Sequence, residues 1–264
     1  MDLREFADLH VPALEADEIR FNVQIAILTA AVERPVPGFR HWTLGAAGHC
    51  AIQTPGRAIL LGNLERSECR QLARAVSELD YPGVVGAGET THWFVEEAIA
   101  SGVKFEETIP QRIHVLSSPP IYPGAEGSAR DVGASDAALL FEWLSAFQQE
   151  AVPHDPPLER ANVESLAAGG RYLFWMNKDQ PVSVAAVSRR LRNTGAIAPV
   201  YTPPDHRARG YAGSVTAAVV ERIFKDGKSS ACLYTDLRNP LSNRCYAKIG
   251  FKPYCDSWHY VRGR

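Results

Sequence analysis

The chain has 264 residues, 45% of them hydrophobic and 22% charged, which is the composition of a soluble globular protein with one large core or two modest ones. Formal net charge is −2. No run approaches the ~20 continuous apolar residues of a membrane span, and the opening MDLREFADLH places acids where a secretory leader has a basic start and an apolar core. A cytoplasmic address with no membrane partner is expected. Five cysteines (Cys50, Cys69, Cys232, Cys245, Cys255) are odd in number and never spaced C-x-x-C; this argues against a disulfide scaffold or a zinc ribbon, and no metal is expected.

Taken in chain order, residues 13–34 predict a helix, with Leu14, Ile19, Val23, Ile27 and Ala30 near helical spacing and Pro35 ending it. Short strands follow at 41–44, 50–53 and 58–61, then an amphipathic helix over 65–79. Val84-Val85, 91–100, 103–108 and 112–116 read strand, helix, strand, strand. The stretch Ser117-Ser-Pro-Pro-Ile-Tyr-Pro-Gly-Ala-Glu-Gly-Ser128 has linker composition and divides a 1–118 domain from a 128–264 domain. Beyond it come a strand at 129–132, helices over 135–152 and from Pro156-Pro157 to Gly169-Gly170, and three meander strands at 172–176, 182–189 and 196–202. A helix at 215–224, a strand at 231–234, a helix at 241–249 and strand material to 261 complete an α/β pattern, helices packed on a central sheet.

Charge is unevenly spread. Residues 189–264 hold 14 of the 28 Lys+Arg and 5 of the 30 Asp+Glu, a net of +9 against −11 for the first 188. A polyanion near the C-terminal region accounts for this, a solvated basic surface being the plain alternative. No Lys/Arg run is interleaved with aromatics, which disfavours nucleic acid. A small polyphosphate fits better, and the segment Thr202-Pro-Pro-Asp-His-Arg207-Ala208-Arg209-Gly210-Tyr211-Ala212-Gly213-Ser214 offers it a place between a strand and an apolar helix. A helix N-terminus carries unpaired N–H groups and partial positive charge. Gly210, Ala212 and Gly213 admit close approach to the backbone, and Arg207 and Arg209 add permanent charge. Other phosphate motifs fail: Gly227-Lys228-Ser229 has Arg222 where a Walker A loop needs glycine, and Gly83 to Gly88 lacks the dinucleotide spacing.

The pattern R-x-x-G-x-A at Arg207, Gly210 and Ala212 resembles the acetyl-CoA motif of the GNAT superfamily, over roughly residues 128–264. Asn239-Pro-Leu-Ser-Asn243-Arg-Cys-Tyr246-Ala-Lys-Ile249-Gly250-Phe251 resembles its second motif. The resemblance implies a mixed sheet whose fourth and fifth strands splay to admit pantetheine, with backbone of Val200, Tyr201 and Thr202 and the loop 207–213 holding the acyl donor. Pro199 lacks an N–H and suits a bulge or unpaired edge there. It also implies roles for Asn239 and Asn243 beside the cofactor and for Tyr246 as general acid to the leaving thiolate, although N-capping alone also accounts for Asn239. The fourth strand carries no carboxylate from Ala196 to Thr202, where many relatives keep a glutamate. The general base stays open among water, a backbone carbonyl, and Glu142, Glu150, His154 or Glu159.

The first 120 residues lack the motif, and the resemblance is to two-domain proteins whose N-terminal half is a degenerate copy of the fold. His92, Trp93 and Phe94 read there as core or as a pocket wall. The expected activity is acetyl transfer from acetyl-CoA to the amine of a small molecule or peptide, in a ternary complex. The other reading is a non-catalytic acyl-CoA sensor. A homodimer is left open.

Overall fold

The computed structural model describes residues 1–153 and 155–263. Among these, contacts divide the chain into two compact units. Unit 1 is Met1–Ile113, Tyr234–Arg238 and Pro253–Arg264; unit 2 is His114–Leu233 and Asn239–Lys252. The linear cut at the Pro/Gly/Ser stretch and this spatial division therefore differ at 114–118, which join unit 2, and at 234–238 and 253–263, which pack with N-terminal residues.

Unit 1 begins with α1 (Leu3–Glu15) and α2 (Asn22–Glu33), where the sequence reading placed one helix over 13–34. Asp2 caps α1, its side chain accepting from Glu5 N–H, and the polar turn 16–21 separates the helices. Strands β1 (Arg40–Thr43), β2 (Cys50–Gln53) and β3 (Ile59–Leu61) form an antiparallel meander. After α3 (Arg66–Ala75), β4 (Gly83–Ala87) returns parallel to β3, pairing Ile59 with Val84 and Leu60 with Val85. Then follow α4 (Thr90–Ala100) and β5 (Phe105–Leu116), of which the residues to Ile113 belong to this unit. The last is one strand across Pro110, where two were expected.

Unit 2 repeats that order. After β6 (Ser128–Asp131) come α5 (Ala137–Ala151), α6 (Arg160–Ala168), β7 (Tyr172–Asn177), β8 (Gln180–Arg190), β9 (Thr194–Tyr201), α7 (Tyr211–Lys225), β10 (Ser230–Asp236), α8 (Pro240–Ile249) and β11 (Lys252–Arg262). Strands β6 to β9 are antiparallel neighbours and β10 runs parallel to β9. The final strand pairs antiparallel with β4, Ser257 opposite Ala87, which is why its residues group with unit 1. Two helices, three meander strands, a helix, a parallel strand, a helix and a strand thus occur twice along the chain.

The central strands of unit 2 are covered on both faces, so they read as near-continuous apolar runs. Leu173, Trp175, Ala185 and Val187 join the core under α7, with Val215, Val219 and Ile223. Their neighbours Tyr172, Phe174, Val184 and Ala186 join the core under α5 and α6, with Leu140, Trp143 and Val163. In unit 1, Phe94 is buried in the core with Leu61, Leu72 and Val84, and Trp93 packs against that core. His92 donates to or accepts from the Tyr260 hydroxyl at 2.7 Å. The core alternative describes Phe94 and Trp93, whereas His92 is half-buried against Trp258 and Tyr260 of β11.

Candidate active site

The strand pair β9 and β10 sets the geometry. They are bonded only from Thr194–Ser230 through Ala196–Cys232, although β9 continues to Tyr201. On its other edge β9 stays paired with β8, Val200 opposite Ala185 and Tyr201 opposite Val184, and the register slips where Ala198 and Pro199 face a single residue. The Ala198–Pro199 peptide is cis. Proline occupies a bulge, as its missing donor requires, and Val200 presents one backbone edge without a strand partner.

From Tyr201 the chain passes through a short 3₁₀ turn at Pro204–His206 to the start of α7. Ala208 at φ 62° and Gly210 at φ 81° are both left-handed. For alanine that conformation costs about 1 kcal/mol, and such strain gathers at binding loops. Gly210 is the N-cap of α7 and lends it no side-chain bond. The first turn closes with Ser214 N–H to the Gly210 carbonyl at 3.0 Å, so the N–H groups of Tyr211, Ala212 and Gly213 precede the first helical bond. This end of α7 is an uncapped cluster of donors with no carboxylate in its first turn.

The two arginines of the loop have separate fates. Arg207 is engaged: its Nε donates to the Thr202 carbonyl at 2.9 Å, and its Nη2 to both carboxylate oxygens of Glu150 at 2.9 and 2.7 Å. Its guanidinium also lies 5.8 Å from the Tyr201 ring centroid. Arg209 is exposed and makes no ion pair among the described residues, which leaves its charge available to an anion. The Thr202 side chain is tied to Ser183 at 2.8 Å. Tyr211 turns inward, its hydroxyl accepting from the Asn177 amide.

Helix α8 carries the second motif. Asn239 caps it, accepting from Ser242 N–H at 3.1 Å, and the Asn243 amide donates to the Asn239 carbonyl at 2.8 Å. Both asparagines hold the first turn, and Gly250 at φ 110° closes the last in the left-handed C-cap position. A Cβ on Gly213 would lie 3.6 Å from Cys245 Sγ, which places α8 against the start of α7. Tyr246 is half-buried against the unit 2 core, its ring edge-on to Phe251 at 6.1 Å. Burial pushes its phenol above the ordinary value, the neighbouring Cys245 adds to this, and a hydrogen bond with Ser242 opposes it.

Of the base candidates, Glu150 is bound to Arg207, Glu142 and Glu159 are exposed, and His154 lies outside the described residues. The sequence reading did not anticipate the Glu150–Arg207 pair or the linker on α7. Cβ atoms at Gly213 and Gly210 would fall 2.6 Å from Pro123 Cγ and 3.4 Å from Ala125 Cβ. Neither contact leaves a local signal, because the partners are 57 and about 90 residues apart. A cleft of about 520 Å³ opens at the other end of α7, against Glu221, Arg222 and Lys225. Its lining includes Tyr122 of the linker but no residue of the loop 207–213. Among the described residues no group of three His, Cys, Asp or Glu could hold a metal ion, and no helix is long and apolar enough to cross a membrane.

Residues 176–262 match the family model described as FR47-like protein. No curated protein matches the chain. Among solved structures, a Drosophila protein is similar over 99% of this chain and 97% of its own, at 14% identity and TM-score 0.70. A GCN5-related N-acetyltransferase from Kribbella flavida covers 93% and 96%, at 15% identity and TM-score 0.63. A tandem GNAT protein from the clavulanic acid biosynthesis pathway covers 94% of each chain, at 12% identity and TM-score 0.57.

Proposed function

From the GNAT fold as premise, we propose that unit 2 transfers an acetyl group from acetyl-CoA to the amine of a small molecule or peptide. The reading rests above all on the loop 207–213, where a strand edge released from its neighbour runs into an uncapped helix start beside an unpaired arginine. Such donors favour a diphosphate without needing any side chain to move. Backbone of Val200 to Thr202 would hold the pantetheine amides, as an added peptide holds to a sheet edge. When bound, the thioester supplies the activated acyl group.

Tyr246 is the proton source for the departing sulfur. Its raised pKa keeps the phenol protonated at neutral pH, and a group held in place with its proton needs no prior ionisation to donate it. Asn239 and Asn243 position the helix that carries Tyr246 through their bonds in its first turn. No carboxylate of β9 is present to take the amine proton. That same observation favours the second reading, an acyl-CoA sensor without turnover.

Gly210→Asp tests the donor site. It adds a carboxylate and a Cβ where φ is positive, and acetyl-CoA affinity measured by calorimetry is expected to fall at least about a hundredfold, from like-charge repulsion and lost donors together. Unchanged affinity would sink the donor site. Saturable CoA binding with no thiol release across a broad amine panel would favour the sensor.

A further inference from the structure

The turn between α1 and α2 walls a cavity of about 250 Å³ in unit 1, lined by Leu14, Asp17, Arg20, Phe21 and Asn63 among others. Its floor is apolar, with Leu14 and Phe21 buried. Arg20 is the unusual member. Its Nε–H is buried without a partner, and its guanidinium forms no ion pair among the described residues. It lies 5.5 Å from the Phe21 ring centroid and against Gly88, where φ is 67° and a Cβ would sit 2.5 Å from Nη2. Asp17, one turn earlier, does not neutralise it. Asp17 Oδ1 accepts from the Arg20 backbone N–H at 3.2 Å and from the Tyr254 hydroxyl at 2.7 Å, and Oδ2 takes no hydrogen bond among the described residues. Asn63 is exposed, and its side-chain amide has no hydrogen-bond partner among the described residues.

Opposite charges three residues apart ordinarily pair. Here the turn fixes the carboxylate by backbone and tyrosine bonds, and the cation is left facing the cavity. Only the Nε–H of this partly exposed guanidinium is buried and unpartnered, and an incoming anion would supply the acceptor that this donor lacks. The site also lies at the carboxyl ends of the parallel strands β3 and β4, with Asn63 two residues beyond one and Gly88 next after the other, where α/β sheets place small ligands. A phosphate is disfavoured on that side: α3 starts with Glu65, whose N–H donates to Glu68 at 2.8 Å, so carboxylates already occupy the helix start equivalent to that of α7.

We propose that this cavity binds a free α-amino acid, its carboxylate on Arg20 and Asn63 and its ammonium on Asp17. The volume admits a monomer and excludes a folded partner. The inference is independent of acyl transfer, so its test omits acetyl-CoA. The full chain is titrated calorimetrically with each of the L-amino acids, with the corresponding amides, which lack the carboxylate, and with N-acetyl derivatives, which lack the ammonium. At least one amino acid is expected to bind saturably, and both of its derivatives at least about tenfold more weakly. Arg20→Gln and Gly88→Ala are each expected to weaken it by a similar factor, the second by displacing the guanidinium. Should Arg20→Gln not fold, the exposed Asn63→Ala and the derivative series decide. The proposal is overturned if no amino acid binds, if affinity survives both Arg20→Gln and Asn63→Ala, or if an N-acetyl derivative binds as well as its parent, which would make this a simple anion site.

Discussion

Tyr246 combines a proton-bearing hydroxyl with a position on the helix that abuts the start of α7. Phenylalanine there keeps the ring and its contact with Phe251 but removes the proton. The expected result is a fall in kcat of about a hundredfold, with KM for acetyl-CoA little changed, since general acids contribute on that scale and the ring itself is retained. Because burial raises the folded pKa above the ordinary tyrosine value, the proton is kept as pH climbs. No alkaline fall in kcat from this group is expected between about pH 6 and pH 10. A descending limb near pH 9 that vanishes in Tyr246→Phe would contradict the assigned environment. Arg207 and Arg209 looked equivalent in the sequence because both are permanent cations two residues apart. Only packing separates them, since α5 brings Glu150 to one and nothing to the other.

At the scale of elements, α7 is held by more than its apolar stripe. The linker over its first turn is pinned on both sides, by Ile121 N–H to the Ile249 carbonyl at 2.9 Å and by Trp175 Nε1 to the Glu126 carbonyl at 3.0 Å. Tyr122 adds a bond to Glu221. Pro123 between these anchors has little room to yield. Gly213→Ala would gain about 1 kcal/mol of helix propensity. Against that stands a Cβ 2.6 Å from the Pro123 ring, an overpacking cost of about 1–3 kcal/mol. The steric effect wins, and chemical denaturation is expected to show net destabilisation; equal or greater stability would mean the linker moves freely. The Pro/Gly/Ser composition of residues 117–128 was legible as a linker, but its contacts were not, because their partners lie between 49 and 128 positions away.

Across the whole chain, stability is expected to depend on pH through the histidines of unit 1. His10 is fully buried; its Nδ1 accepts from Gly48 N–H at 3.0 Å, leaving Nε2–H to bond Thr43 Oγ1 at 2.9 Å. Burial lowers its pKa from 6.5, and His41 and His49 add to this; burial lowers that of His41 as well. A histidine with a depressed folded pKa contributes stability that is present above the unfolded value and is lost as pH falls below it. The melting temperature should therefore drop from about pH 7 to about pH 5. His10→Gln should cost about 1–3 kcal/mol at pH 7 by breaking two buried hydrogen bonds, and should flatten that slope. An unchanged slope in the variant would assign the dependence elsewhere.

The order of helices and strands in unit 2, the loop Arg207 to Gly213 and the α8 motif were all readable in the sequence. Local rules govern them: apolar periodicity, a glycine where φ must be positive, an asparagine and proline at a helix start. The break between α1 and α2 was missed because apolar spacing ran on through the polar turn. Tertiary structure alone decided that β9 leaves β10 after Ala196, that Glu150 takes Arg207, that the last strand pairs with β4, and that Arg20 stands unpaired beside Asp17. Each of these depends on which distant groups compete for the same hydrogen bond or charge. A sequence specifies that competition only once the chain has closed its long loops and buried its core.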